Sequence, residues 1–215
     1  MNRPEPSPGA SEIEQAFFRD GYLLAADFLS REGPPDQIME AISRLYAMLD
    51  DFLAVFLEKA ASGTNPAACK KGCAWCCHQA VFAQVYEYRY LKNWMFEHLD
   101  AELLDNVRKR AKQKVYHTDQ LPREKLLKHK EACPLLENDK CLAYDARPVA
   151  CRIYLSMNLD SCINEFNSPD DKSRFPMLFE LPLQAGRSLN DGFRAGLKEA
   201  GIDTREFSME KGLLI

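Results

Sequence analysis

Cys69-Lys-Lys-Gly-Cys73-Ala-Trp-Cys76-Cys77 gathers four thiols into nine residues. A solitary cysteine usually serves as a small buried hydrophobe. Four at this spacing match the way a chain presents sulfur to a metal. The ligand is the thiolate, and a free thiol of pKa about 8.5 is only ~3% ionised at pH 7, so a soft cation must displace the proton. Closely spaced thiolates converge through a short loop at small entropic cost, and Gly72 lets that loop turn tightly. Neighbouring residues project differently, so the pair Cys76-Cys77 leaves one thiol for a second metal, a bridging position or a free reactive site.

A second run follows, Cys133-x7-Cys141-x9-Cys151-x10-Cys162. The polar stretch between Cys133 and Cys141 predicts a short hairpin or knuckle. Pro148 stands where a helix can start, with Cys151 on its first turn. Cys69, Cys73, Cys76, Cys77, Cys133, Cys141, Cys151 and Cys162 are therefore the candidate metal ligands, as two sites of four or one site with spare thiols. Four thiolates leave a net charge of −2 on Zn²⁺ or on a 4Fe–4S core of charge +2. Lys70, Lys71, Arg147 and Arg152 stand beside the sulfurs in sequence and offer to offset it; the plainer reading makes them surface cations. His78 reads as a loop residue, with ligation or proton transfer as the alternative. Tyr144 and Tyr154 read as core aromatics, with hydroxyls aimed at the site as the alternative. Glu87 reads as part of a solvated helix face, or else as a carboxylate behind the ligands.

Together these residues resemble a cysteine-cluster family described as a putative zinc- or iron-chelating domain (YkgJ-like), with a C-x2–3-C-x2-C-C run followed by C-P…C-x-x-Y-x-x-R-P-x-x-C-R. The matches are Cys69, Cys73, Cys76 and Cys77, then Cys133-Pro134, Cys141, Tyr144, Arg147-Pro148 and Cys151-Arg152, spanning 69–154. The resemblance implies metal binding with the metal left open. Cys162 and the N-terminal 60 residues lie outside the motifs. The cysteine pattern is also similar to that of flagellin lysine N-methylases, which keeps methyl transfer as an option. Cys69-x3-Cys73-x2-Cys76 has the spacing of the radical S-adenosylmethionine motif as well. Against that, Cys77 follows at once, and neither a Gly-Gly-Glu-type segment nor strand–helix alternation comes after it.

Outward from the thiols, the chain reads as helices. Ile38, Ile42, Leu45, Tyr46, Leu49, Phe52, Leu53, Phe56 and Leu57 recur at three- and four-residue steps, predicting a helix of about 25 residues after Gly33-Pro34-Pro35-Asp36. Its stripe would serve as a buried face of its own domain, or as the seam of a homodimer along 36–61. Ile13–Leu29 predicts one or two short helices interrupted at Gly21, and Gly63-Thr-Asn-Pro66 ends the long helix. Val81–Leu99 and Glu102–His117 predict two more, joined by a linker near Pro122 to the second cysteine run. Asn167–Asp171 reads as a surface loop and Phe175–Leu183 as irregular. Ser188 and Asp191 resemble a capping box opening a last helix that Gly201 closes. The expected fold is mainly α, a helical bundle around a cysteine-rich metal-binding core with short irregular or hairpin segments. The expected divisions are a disordered tail at 1–10, a helical extension at 11–62, the cysteine-cluster region at 63–165 and a C-terminal loop and helix at 166–215.

Composition bounds the rest. The 215 residues are 46% hydrophobic and 28% charged, with 28 basic against 32 acidic side chains. That balance argues against full disorder, and the net charge of −4 advertises neither nucleic acid nor a membrane. The basic run Arg108–Lys114, continued by Arg123, Lys125 and Lys128, reads as a charged helix face, so nucleic acid is not expected. No apolar run is long enough to span a bilayer. The first residues lack a secretory signal, which predicts a cytoplasmic protein whose clustered thiols hold metal rather than disulfides. No phosphate-binding loop, dinucleotide fingerprint, zincin motif or serine elbow is present. The expected function is chelation of an iron–sulfur cluster, slightly preferred, or of zinc. The alternatives are an iron–sulfur enzyme (oxidoreductase or methyltransferase-like) and a zinc-knuckle interaction module with a protein partner.

Overall fold

The computed structural model describes residues 5–6, 9–29, 37–70, 72–171 and 173–215. The expected turn at Gly33–Asp36 and the cation Lys71 lie outside these residues. Ser11 opens α1 (Glu12–Leu29): its hydroxyl accepts from the Glu14 N–H at 3.3 Å, while Glu14 Oε2 accepts from the Ser11 N–H at 2.8 Å. This reciprocal box satisfies two N-terminal donors. The apolar stripe forms α2 (Gln37–Ala61) and points inward, burying Ile42, Leu45, Tyr46, Leu49 and Leu53 within the chain's own core.

After the first cysteine run come β1 (Phe82–Gln84), α3 (Val85–His98), α4 (Ala101–Thr118) and α5 (Arg123–Lys128). The second run holds β2 (Leu136–Glu137), β3 (Lys140–Cys141), α6 (Val149–Arg152) and α7 (Leu159–Asn167). The chain closes with α8 (Glu180–Glu199), β4 (Glu206–Ser208) and α9 (Met209–Gly212). The protein is mainly α, and no described helix is long and apolar enough to cross a membrane.

Helix α1 is continuous because Gly21 is an approach point rather than a break. A Cβ there would lie 2.0 Å from the Leu189 carbonyl oxygen, and one on Gly192 would lie 1.9 Å from that of Phe18. The backbones of α1 and α8 therefore touch, and side chains interleave on either side. Helix α8 starts eight residues before the expected Ser188 cap. Pro182 falls in its first turn, where a missing N–H removes no intrahelical bond, so of the expected irregular stretch 175–183 the part 175–179 is non-helical and 180–183 belongs to α8. The C-terminal end is as expected, with Gly201 at φ +75°.

Two cores flank α3. Tyr86 faces Ile42, Leu45, Leu49, Leu189 and Phe193, whereas Tyr88 faces Leu91, Met95, Val107, Leu135 and Met209. Two positions on an α-helix differ by roughly 200°, so this one helix serves both sides. The residues before it form β1 instead of extending the helix. They pair antiparallel with β4, Ala83 opposite Phe207, and Met209 N–H donates to Val81 O at 2.8 Å. The expected linker at Pro122 turns out to cap α5. Helix α4 packs chiefly on α9, and the second core joins it to α3.

Candidate metal centre

The first cysteine run is shaped by its backbone. Gly72 sits at φ +88°, a left-handed conformation that side chains resist. Beside it the Cys73 N–H turns back onto Lys70 O at 3.0 Å. A 3-10 turn over Trp75–His78 then carries Cys76 and Cys77. His78 Nδ1 donates to Ala74 O at 3.0 Å, and its ring packs edge-on to Phe166 at 5.3 Å.

Two backbone bonds bring the second run alongside. Glu131 N–H donates to His78 O at 2.9 Å and Cys133 N–H to Cys77 O at 2.8 Å. Cys133 leads into the β2–β3 hairpin, where Leu136 pairs with Cys141. Asn138 and Asp139, at φ 49° and 57°, make its two-residue turn. Two left-handed residues match the twist of paired strands, and Asn and Asp adopt that region most readily after Gly. Pro148 opens α6 as expected, with the Cys151 N–H donating to Pro148 O at 2.9 Å. Cys133, Cys141 and Cys151 all pack against the second core. Cys162 rides on α7, which Asn158 caps by accepting from Ser161 N–H at 2.8 Å. Ser156 links this end to the first run: its N–H donates to Cys69 Sγ at 3.2 Å, and its side chain stands within hydrogen-bond reach of Cys162.

All eight cysteines are free and half-buried. Burial raises the thiol pKa of Cys69, Cys141, Cys151 and Cys162, and pushes that of Cys133 up to about 11. Cys76 departs from this pattern. A hydrogen bond with Cys77 lowers it to about 7, and that same bond drives Cys77 far upward. Most of these sulfurs therefore hold their protons at neutral pH, and a bound metal would have to release them.

The cations divide in an unexpected way. Arg147 stabilises the thiolate forms of Cys76, Cys141 and Cys151 while lying 3.7 Å from the Tyr144 ring centroid. Arg152, 2% exposed, belongs to the scaffold: it pairs with Asp50, donates to the carbonyls of Arg147 and Asp145, and lies against Tyr46. Lys70 is exposed. The sequence reading missed Lys114, 4% exposed, whose ammonium donates to Glu131 O at 2.8 Å and favours the Cys133 thiolate. A lysine spaced i, i+4 between Arg110 and Thr118 gave no sign of facing inward.

Three further expectations change. Tyr144 is half exposed under Arg147 rather than in the core. Tyr154 hydrogen-bonds Gln79 and lies near Cys76 and Cys162. Glu87 is 1% exposed and not on a solvated face: it accepts from Val149 N–H at 2.8 Å, Gln84 N–H at 3.2 Å and Tyr46 OH at 3.2 Å. That carboxylate ties the start of α3 to the start of α6, and so fixes Cys151.

The donor set suits a soft cation in type, number and neighbouring positive charge. Among the described residues, no three His, Cys, Asp or Glu side chains already stand close enough to hold an ion. Chelation thus needs the thiols to swing inward about a backbone that already gathers them. Residues 68–172 match the family model described as "putative zinc- or iron-chelating domain". This stretch is similar to that domain, which supports metal binding, and it takes in Cys162, which the motifs alone left out. No curated protein and no solved structure matches the chain.

Proposed function

We propose that this protein is a thiolate metal chelator that carries an iron–sulfur cluster in preference to zinc. The observation that supports it most is the 2.8 Å bond from Cys133 N–H to Cys77 O, which sets two cysteine runs more than fifty residues apart side by side. The donor set is wholly sulfur, and the nearest imidazole, that of His78, is turned to the Ala74 carbonyl. Cluster iron is held by four thiolates, and its potential responds to nearby charge and burial. Arg147 and Lys114 supply positive charge, and the second core covers Cys133, Cys141 and Cys151 on one side. The depressions over α1 and α8, lined by Glu12, Arg19, Tyr22, Arg187, Asp191 and Lys198, contain no cysteine.

Anaerobic purification followed by iron, sulfide and zinc analysis with absorption and EPR spectra tests the assignment. Iron with matching sulfide and a broad visible absorption is the expected result. A colourless protein loaded with zinc overturns the iron preference and keeps chelation. Binding of any such metal adds to folding stability, and the first core contains no cysteine. Removal of the metal is therefore expected to speed amide exchange in α4, β2–β3 and α6 while α1, α2 and α8 stay protected.

A further inference from the structure

We propose that the eight thiols form two four-sulfur centres, with the adjacent Cys76 and Cys77 belonging to different ones. Cys69, Cys73, Cys76 and Cys162 make the first; Cys77, Cys133, Cys141 and Cys151 make the second. The inference rests on the chelator reading and deepens it.

Zinc and iron–sulfur cores are each satisfied by four thiolates, so the eight thiols of two adjoining runs exceed one centre. The scaffold sorts them. Ala68 N–H donates to Ser156 O at 2.8 Å, and the Ser156 N–H returns to Cys69 Sγ at 3.2 Å. Because the same serine side chain reaches Cys162, Cys69 and Cys162 share one neighbour. Helix α7 is pressed onto the 3-10 turn by Phe166, 5.1 Å from the Trp75 ring. These contacts gather the first set without any element of the second core.

The second set is built on different supports. Cys133 is locked to Cys77 through the backbone, Cys141 closes the hairpin that Cys133 opens, and Cys151 comes off α6 into the same apolar cluster. A 3-10 turn advances about 120° per residue, so the side chains of Cys76 and Cys77 leave it at different angles, with their thiols still within hydrogen-bond reach of each other. The cysteine spacing assigns Cys76 to the centre of Cys69 and Cys73, since the other already counts four sulfurs.

Metal content of the full chain, purified anaerobically, decides the matter together with serine variants. Cys162→Ser and Cys141→Ser are each expected to lose half of the bound metal. Pairing Cys162→Ser with Cys69→Ser should cost no more than half, whereas pairing it with Cys141→Ser should remove all of it. Full retention by Cys162→Ser, or complete loss in Cys141→Ser alone, overturns the partition. The unaltered chain gives a second reading that does not depend on how variants fold. Loaded with ¹¹³Cd, it should show two all-sulfur cadmium resonances of equal intensity; a single resonance overturns two centres while leaving chelation intact. A chain that takes up neither iron, zinc nor cadmium overturns the chelator reading itself.

Discussion

Gly192→Ala is expected to destabilise the protein by about 3 kcal/mol or more, near or beyond the upper end of ordinary overpacking. In an isolated helix this change gains roughly 0.8–1 kcal/mol, so even the sign is diagnostic. The added methyl would sit 1.9 Å from the Phe18 carbonyl oxygen and 2.7 Å from its carbon, and backbone cannot rotate aside as a side chain can. Helices α1 and α8 must separate, and Phe18, Ala25, Leu189 and Phe193 lose contact along the seam. Gly21→Ala meets Leu189 O at 2.0 Å and should behave alike. Gly63→Ala, whose nearest neighbour would be 3.5 Å away, is the tolerated control. Urea midpoints at constant slope measure all three. A neutral or stabilised Gly192→Ala would show that the two backbones do not touch.

The second large effect is expected at Glu87. Glu87→Ala orphans the Val149 and Gln84 N–H groups and the Tyr46 hydroxyl, all in a closed interior. It also leaves Arg152 without a nearby carboxylate beyond Asp50. Breaking such a network costs about 3–5 kcal/mol. Glu87→Gln keeps the shape but turns one donor against another, at about 1–3 kcal/mol. Because Val149 opens the helix bearing Cys151, both variants should also hold metal more weakly, alanine more than glutamine. Unfolding curves and competition with a chelator provide the two readouts.

The same residue predicts a pH dependence. Burial raises the carboxyl pKa of Glu87, against the pull of its three donors and Arg152. The unfolded carboxyl ionises near pH 4.3, before the folded one does. Stability from this group is therefore fully present below that pH, and is lost as pH rises toward the folded pKa. The stability difference between wild type and Glu87→Gln should shift against wild type across that window and level off above it. A flat difference would mean that burial does not perturb Glu87.

Much of this architecture was legible where local chemistry decides. The stripe from Ile38 to Leu57 gave α2, Pro148 gave α6, and the polar Asn138-Asp139 pair gave the hairpin. The meeting of the two cysteine runs was readable because thiols so clustered have few other uses. What escaped depends on distant partners. Val81–Gln84 looks helical until Glu206–Ser208 arrives to pair with it. Gly21 looks like a break until Leu189 lies against it. Glu87 and Lys114 look solvated because nothing local records that a second layer covers them.

Strand β1 is paired by residues 206–208, Met209 closes the same edge, and the core they share covers Cys133, Cys141 and Cys151. A nascent chain thus reaches the ribosomal exit with every cysteine already synthesised but with the wall beside them still missing. Thiols would stand exposed to stray oxidants throughout that interval. Any metal bound before the C-terminal segment emerges would lack that cover.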